Sequence, residues 1–288
     1  MKKKCIICGS TKLLSKKYGQ HKKIKYTLKQ RIKKTIKKTI KRELFSGNIN
    51  VCGSCGYGIM KNIPDENKLK KYYNKQYWDW RAVDVSEILN KYKNDLRSNT
   101  QTQLVYKYLS EINNVLEIGA GAAFASLKLK ELFREKNNKE IKLYVCEPGK
   151  QWIEYYKEIN ILKIADFFPF SSDIKFDYIH TSHWIEHVAD IKQTVKDLNN
   201  LLNENGCLFV EVPNTSKTYW DLNFKDIPHI HFFTKASLKK LMDNNGFNCL
   251  YIEECGITIQ EYYSKFSVNH YNKNENGVVI RGVFKKLK

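Results

Sequence analysis

Three groups of residues have the types and spacing to do chemistry. The first is a pair of knuckles, Cys5-Ile6-Ile7-Cys8-Gly9 and Cys52-Gly53-Ser54-Cys55-Gly56. Each tight turn points two thiolates the same way, and two such turns complete a tetrahedral four-sulfur site. Zinc suits Cys5, Cys8, Cys52 and Cys55, and with four protein ligands it would be structural. Iron takes the same ligands, and two independent redox or buried pairs are the alternative.

The second group begins at Asn114-Val115-Leu116-Glu117-Ile118-Gly119-Ala120-Gly121. An apolar run passes at once into Gly-x-Gly, and a helix-forming stretch follows. Such a turn lets the backbone approach a ligand that the helix N-terminus faces. Phe124 stands where the third glycine of a dinucleotide fingerprint would be, and there is no Gly-Lys-Ser/Thr. The pattern therefore suits a nucleoside without gripped phosphates. Glu147, at the end of the apolar run 141–146, can accept both hydroxyls of a ribose. Asp166, after the run 161–164, can receive an adenine amino group.

The third group is histidines: His183, His187, His229 and His231. An imidazole titrates near neutrality and so suits a general base. His183 is the first candidate and His231 the second, whereas His187 reads equally well as a packing residue. His183-x-x-Glu186-His187 also has the spacing of a zinc peptidase motif. It follows a strand end and precedes the N-cap residue Asp190, so it lacks the long helix such a motif needs.

The elements that must position these groups alternate in type after residue 113. Apolar runs at 115–118, 141–146, 161–164, 176–181 and 207–212 read as strands, with helical segments between them. That order argues a parallel sheet covered on both faces. Asn205-Gly206 would end the helix before the fifth run, and 249–253 and 278–284 would supply two last strands. Ser86 to Ser110 reads as one helical stretch. Tyr72, Tyr73, Tyr77, Trp78 and Trp80 form an aromatic cluster that suits either a lid over a ligand or an interface between domains.

The 288 residues carry a net charge of +20, but residues 1–44 hold 17 Lys/Arg against the single acid Glu43. The basicity therefore belongs to one segment. It could attract nucleic acid, an anionic membrane surface or a phosphorylated substrate, or it could simply be a solvated face. Ile24, Leu28, Ile32, Ile36, Ile40 and Leu44 recur every fourth residue among the lysines. This spacing suits a basic amphipathic helix that could lie on a membrane or a polyanion, or pack on the rest of the chain with a solvated basic face, which is the expectation here. No apolar run has membrane-spanning length and no signal peptide is evident, so a cytoplasmic location with reduced thiols is expected.

Val115–Phe124, Glu147, Ala165-Asp166, Trp184-Ile185-Glu186-His187-Val188, Leu202–Asn214 and His229–Phe247 together resemble a class I S-adenosylmethionine-dependent methyltransferase. Some members carry an N-terminal Cys-x-x-Cys pair and a stretch like Tyr72-Tyr73-Asn74-Lys75-Gln76-Tyr77-Trp78. The resemblance implies a Rossmann-like α/β fold with a mostly parallel seven-stranded sheet, helices on both faces and a small zinc-ribbon-like module. It divides the chain into a zinc module with a basic insertion (1–62), a helical linker or lid (63–113) and the methyltransferase domain (114–288).

In such a protein Glu117, Gly119, Ala120 and Gly121 would line the methionine end of the cofactor. Glu147 with Pro148 would hold the ribose, and Asp166 with Phe167 the adenine edge. Thr181, Ser182 and His183 would face the methyl group. Some relatives carry Glu-x-x-Glu-His here with a divalent metal; His183 in the first position argues against a metal role. Such enzymes methylate sugars or other precursors of bacterial surface polysaccharides or natural products. The basic segment points to an anionic, phosphate- or nucleotide-linked small-molecule acceptor. The rival class is an RNA-directed methyltransferase, or a non-catalytic adaptor binding nucleic acid through the zinc module. Only Tyr18 and Tyr26 offer stacking rings among the lysines, and no Asn-Pro-Pro-Tyr-like signature for base amines occurs, so nucleic acid is the weaker partner.

Overall fold

The computed structural model describes residues 3–18, 45, 47–77, 84–216, 219–220, 228–258, 261 and 271–287. The basic amphipathic stretch, Trp78, Trp80 and most of 257–277 lie outside the described residues. Three short strands come first: β1 (Leu13–Tyr18), β2 (Gly47–Cys52) and β3 (Gly58–Met60). Helix α1 (Glu66–Lys71) continues into a wider π turn, Tyr72–Tyr77. Helices α2 (Val85–Lys93) and α3 (Leu96–Tyr106) follow. The alternating part is β4 (Asn114–Ile118), α4 (Phe124–Asn137), β5 (Lys142–Cys146), α5 (Ile153–Glu158), β6 (Leu162–Ala165), β7 (Phe176–Ser182), α6 (Ile191–Leu201) and β8 (Leu202–Pro213). The chain closes with β9 (His231–Phe232), α7 (Lys235–Asp243), β10 (Phe247–Thr258) and β11 (Gly277–Lys286).

Seven strands form one sheet in the order β10-β11-β8-β7-β4-β5-β6. The five strands from β8 to β6 pair in parallel, and β11 runs antiparallel to both β8 and β10. Side chains alternate between the faces, as a strand requires. Leu116, Tyr144, Ile179 and Leu208 join one core with α6 and α7, whereas Val115, Leu143, Tyr178 and Phe209 join another with α3, α4 and α5. This is why the strands read as continuous apolar runs: both faces are covered.

Two expected boundaries differ. The stretch 86–110 is broken at Asn94-Asp95, because the Asp95 carboxylate accepts the Ser98 N–H at 2.8 Å and starts a new helix. Asn205-Gly206 does not end α6, which stops at Leu201; the pair lies in a bulge of β8, with Asn205 at φ 62°. Asp177 holds that bulge by accepting from Asn203 Nδ2 at 2.6 Å. Its other oxygen accepts from the backbone of Asn113 and Asn114, which starts β4.

The second sheet, β1-β2-β3-β9, takes its last strand from residues 231–232. Both knuckles sit at the ends of α7. Thr234 caps that helix, and its hydroxyl donates to the Cys55 carbonyl at 2.7 Å. At the other end Asn244 donates to the Ile7 carbonyl at 2.9 Å. Gly56, at φ 74°, lies so close that a Cβ would come within 2.5 Å of Thr234. Cys5, Ile7, Cys52 and Tyr57 pack in the same core as one face of the large sheet.

Glu211 of β8 is a charged group with no exposure at all. One oxygen accepts from Arg97 Nε of α3 at 2.6 Å and from Ser182 Oγ at 3.1 Å; the other accepts from Arg281 Nε of β11. Burial pushes the carboxyl's pKa up, but Arg97 and Arg281 outweigh it and hold the group well below the usual range. Its stabilising contribution is therefore present above the unfolded carboxylate pKa and is lost as the pH falls below it. Glu211→Gln should cost about 3 kcal/mol or more, since it leaves two guanidinium groups facing a neutral amide. Urea unfolding at neutral pH checks this, and the variant's stability should fall less between about pH 5 and 2 than the wild type's.

Candidate active site

The strand order reverses between β4 and β7, which opens a crevice outside the carboxyl ends of the parallel strands. The β4–α4 turn fills its base. Gly119, Gly121 and Ala123 all take positive φ, at 69°, 50° and 53°. A Cβ at Gly119 would also lie 3.1 to 3.3 Å from Trp184, so glycine is required there for both backbone and space. The Gly119 N–H donates to the Cys146 carbonyl at 2.9 Å, which ties the turn to the end of β5.

A cleft of about 300 Å³ occupies the crevice, a size suited to a small molecule. The turn contributes Gly119 and Gly121, and the end of β5 contributes Glu147 and Pro148. The chain after β6 adds Asp166, Phe167, Phe168 and Pro169; the chain after β7 adds His183, Trp184 and His187 beside Ser182. Glu66, Leu69 and Lys70 of α1, with Tyr73 of the π turn, complete the lining. The cleft thus joins the end of the large sheet to the segment that follows the N-terminal module.

Glu147 is almost fully buried. Its two oxygens accept from the Gly121 N–H at 3.0 Å and the Gly149 N–H at 2.8 Å. These bonds fix the carboxylate beside the glycine turn. Asp166 is half-exposed and pairs with Lys163 at 2.6 Å. Trp184 stands edge-on to Phe168 at 5.4 Å, which gives the cleft an aromatic wall.

His183 has φ 51°, and its backbone N–H donates to the Glu211 carbonyl at 2.8 Å. Its ring lies between two carboxylates, with Nδ1 3.5 Å from Glu186 and Nε2 3.5 Å from Glu211. Burial and Arg97 push its pKa down, but the two carboxylates outweigh them and the net shift is upward. Ser182 accepts from Arg97 and Gln101 at 2.8 and 3.0 Å and donates to Glu211, so its hydroxyl belongs to the Glu211 network.

Four expected site residues do not line the cleft. Glu117 turns into the core, where Oε2 accepts the Ser126 N–H and hydroxyl and so caps α4, whose N-cap residue Ala123 has no side-chain oxygen. Burial raises Glu117 to about 7 against the pull of Ser126. Ala120 packs in the core and Thr181 donates to the Phe209 carbonyl. His231 is buried with both ring nitrogens engaged, by Tyr57 at 2.6 Å and the Val188 carbonyl at 2.8 Å; burial lowers its pKa to about 4. Sequence reasoning did not single out Trp184, Phe168, Lys70 or Glu66. It left open the aromatic cluster, which divides: Tyr72 is core, edge-on to Phe45, and Tyr73 lines the cleft against His187.

The four knuckle sulfurs converge, all within 4.8 Å of one another. Cys5 and Cys55 are 3.7 Å apart and Cys8 and Cys52 are 3.5 Å apart. Metal–sulfur bonds of about 2.3 Å at the tetrahedral angle place sulfurs about 3.8 Å apart. The two knuckles also match each other: Gly9 and Gly56 both have φ 74°, and each donates its N–H to the first cysteine's carbonyl at 2.9 Å.

The comparisons with known proteins agree with this geometry. A family model described as a methyltransferase domain matches residues 55–252. Magnesium protoporphyrin IX methyltransferase from Synechocystis PCC 6803, determined with S-adenosyl-L-homocysteine bound, superposes with a TM-score of 0.52 at 10% identity, covering 78% of this chain and 100% of its own. An S-adenosylmethionine-dependent methyltransferase from Clostridium acetobutylicum ATCC 824 gives 0.50 at 12% identity, covering 77% and 99%. At such identities these structures share the fold. No curated protein sequence matches the chain. The glycine turn, the buried acid after β5 and the family match over most of the sequence lead to one conclusion: the chain belongs to the methyltransferase-domain family and is a methyltransferase.

Proposed function

We propose that this enzyme moves a methyl group from S-adenosylmethionine to a small-molecule acceptor, a sugar or another precursor of a bacterial surface polysaccharide or natural product. The observation that carries this reading is the meeting of Gly119, Gly121, Glu147 and His183 in one cleft. S-adenosylmethionine, when bound, supplies a methyl carbon activated by a positive sulfur. Gly119 and Gly121 would let the backbone approach that ligand, Glu147 and Pro148 would meet the ribose, and Asp166 and Phe167 the adenine edge. Trp184 and Phe168 offer the rings against which a base can pack.

His183 would take the acceptor's proton as the new bond to the methyl carbon forms. Glu186 and Glu211 flank its ring and would stabilise the imidazolium that results. Orientation supplies the rest of the rate, because the electrophile needs no further activation. Lys70 on the cleft wall pairs with Glu66 at 3.9 Å, and it is the basic N-terminal segment that favours an acceptor carrying a phosphate or a nucleotide. In the knuckle module the sulfur spacing supports structural zinc, which would hold the second sheet against α7. No described helix is long and apolar enough to cross a membrane.

Three outcomes test this reading. Calorimetry should detect S-adenosylmethionine binding to the wild type, and Glu147→Ala should weaken it about tenfold or more, as expected when a buried charged hydrogen-bonding group is lost. With an acceptor found by screening nucleotide sugars, His183→Ala should lower kcat about 10²-fold or more while leaving the cofactor affinity near the wild-type value. Titrating four thiols with an organomercurial should release one zinc ion per chain. Cys52→Ser should lose that ion and unfold at a lower temperature.

A further inference from the structure

Glu186 lies fully buried beside the cleft, and no hydrogen-bond donor among the described residues reaches either of its oxygens. A buried carboxylate left that way is costly. Imidazole nitrogens surround its Oε1 instead: His183 Nδ1 at 3.5 Å, His187 Nε2 at 3.6 Å and His229 Nε2 at 4.0 Å. The last two separations are too long for hydrogen bonds. They are close to those of groups sharing one cation, since bonds of about 2.1 Å at the tetrahedral angle place ligand atoms about 3.4 Å apart.

The hydrogen bonding of His187 points the same way. Its Nδ1 lies 2.7 Å from the Pro228 carbonyl, which can only accept, so Nδ1 carries the proton. Nε2, the other ring nitrogen, faces Glu186 Oε1 at 3.6 Å. A metal-bound histidine commonly donates its other N–H to a backbone carbonyl in this way. The ligand atoms of Glu186, His187 and His229 all lie within 4.8 Å of one another. We propose that these three residues bind a first-row divalent cation, in a second metal centre separate from the four cysteines. Two imidazoles and one carboxylate suit such an ion and leave coordination positions open.

The His183-x-x-Glu186-His187 spacing holds only part of this cluster, because the remaining residue is distant in sequence. His229 lies 42 positions beyond His187. It is brought over by the chain leading into β9, where the Ile230 N–H donates to the Glu186 carbonyl at 2.8 Å. The cluster reaches the cleft through His187, one of its lining residues. If the methyl-transfer reading holds, an acceptor hydroxyl bound to the ion would be easier to deprotonate, with His183 beside it.

The test is titration of the purified protein, its four-cysteine site loaded, with Co²⁺ by calorimetry and visible absorption. One further Co²⁺ per chain should bind, with d–d bands and no new thiolate charge-transfer band. Glu186→Gln, which keeps the side-chain shape, and His229→Ala should each weaken that ion about tenfold or more while the far-ultraviolet circular dichroism stays wild type. Failure of the wild type to bind beyond the cysteine site, or wild-type affinity in either variant, would overturn the proposal. Neither readout depends on S-adenosylmethionine, so failure here is distinct from failure of the methyl-transfer reading.

Discussion

A single buried carboxylate, Glu211, carries much of the site's architecture. It sits on the fifth parallel strand at the edge where the crevice opens, and two arginines from distant parts of the chain converge on it. Arg97 ties helix α3 to the sheet, and Arg281 ties in the reversed strand. Ser182 and the ring of His183 approach the same oxygen, and the His183 N–H is held by the Glu211 carbonyl. A buried charge is tolerated only when it is paired and hydrogen-bonded, so these elements cannot shift independently. The left-handed backbone at His183 is one consequence: the chain turns there because both flanks are fixed.

The N-terminal module is part of the same construction. Its sheet is completed by β9, and its knuckles dock at both ends of α7. From the knuckles the chain passes through β3 to α1, whose side chains reach the cleft. The four cysteines thus contribute to the site at a distance, by holding the segment that lines it. Tyr57 shows the linkage in one residue: it follows the second knuckle, packs against Phe233 and hydrogen-bonds His231. His231 looks catalytic in the sequence, and its structural position is that of a buried strut.

The large sheet was legible in the sequence because parallel strands covered on both faces leave unbroken apolar runs. The cysteine knuckles were legible because two short turns with fixed spacing carry all four converging sulfurs. Gly119, Gly121 and Glu147 were legible because a strand end followed by glycine or an acid has few other uses. Glu117 was not, since nothing local shows that a strand acid will cap a helix nine residues on. The aromatic walls and Lys70 escaped because cleft-lining rings and lysines have the same composition as core and surface ones. His229 and Glu186 meet only through a long connection, so their proximity exists only in three dimensions.

The central claim is that one cleft, shared by the sheet's carboxyl end and the helix after the N-terminal module, is the cofactor site. Hydrogen exchange of the full chain with and without S-adenosyl-L-homocysteine tests it most directly. The account predicts slowed exchange together at residues 118–124, 147–150, 166–169 and 182–189, and also at 66–73. No protection at the glycine turn and Glu147, or protection confined to other parts of the chain, would contradict it.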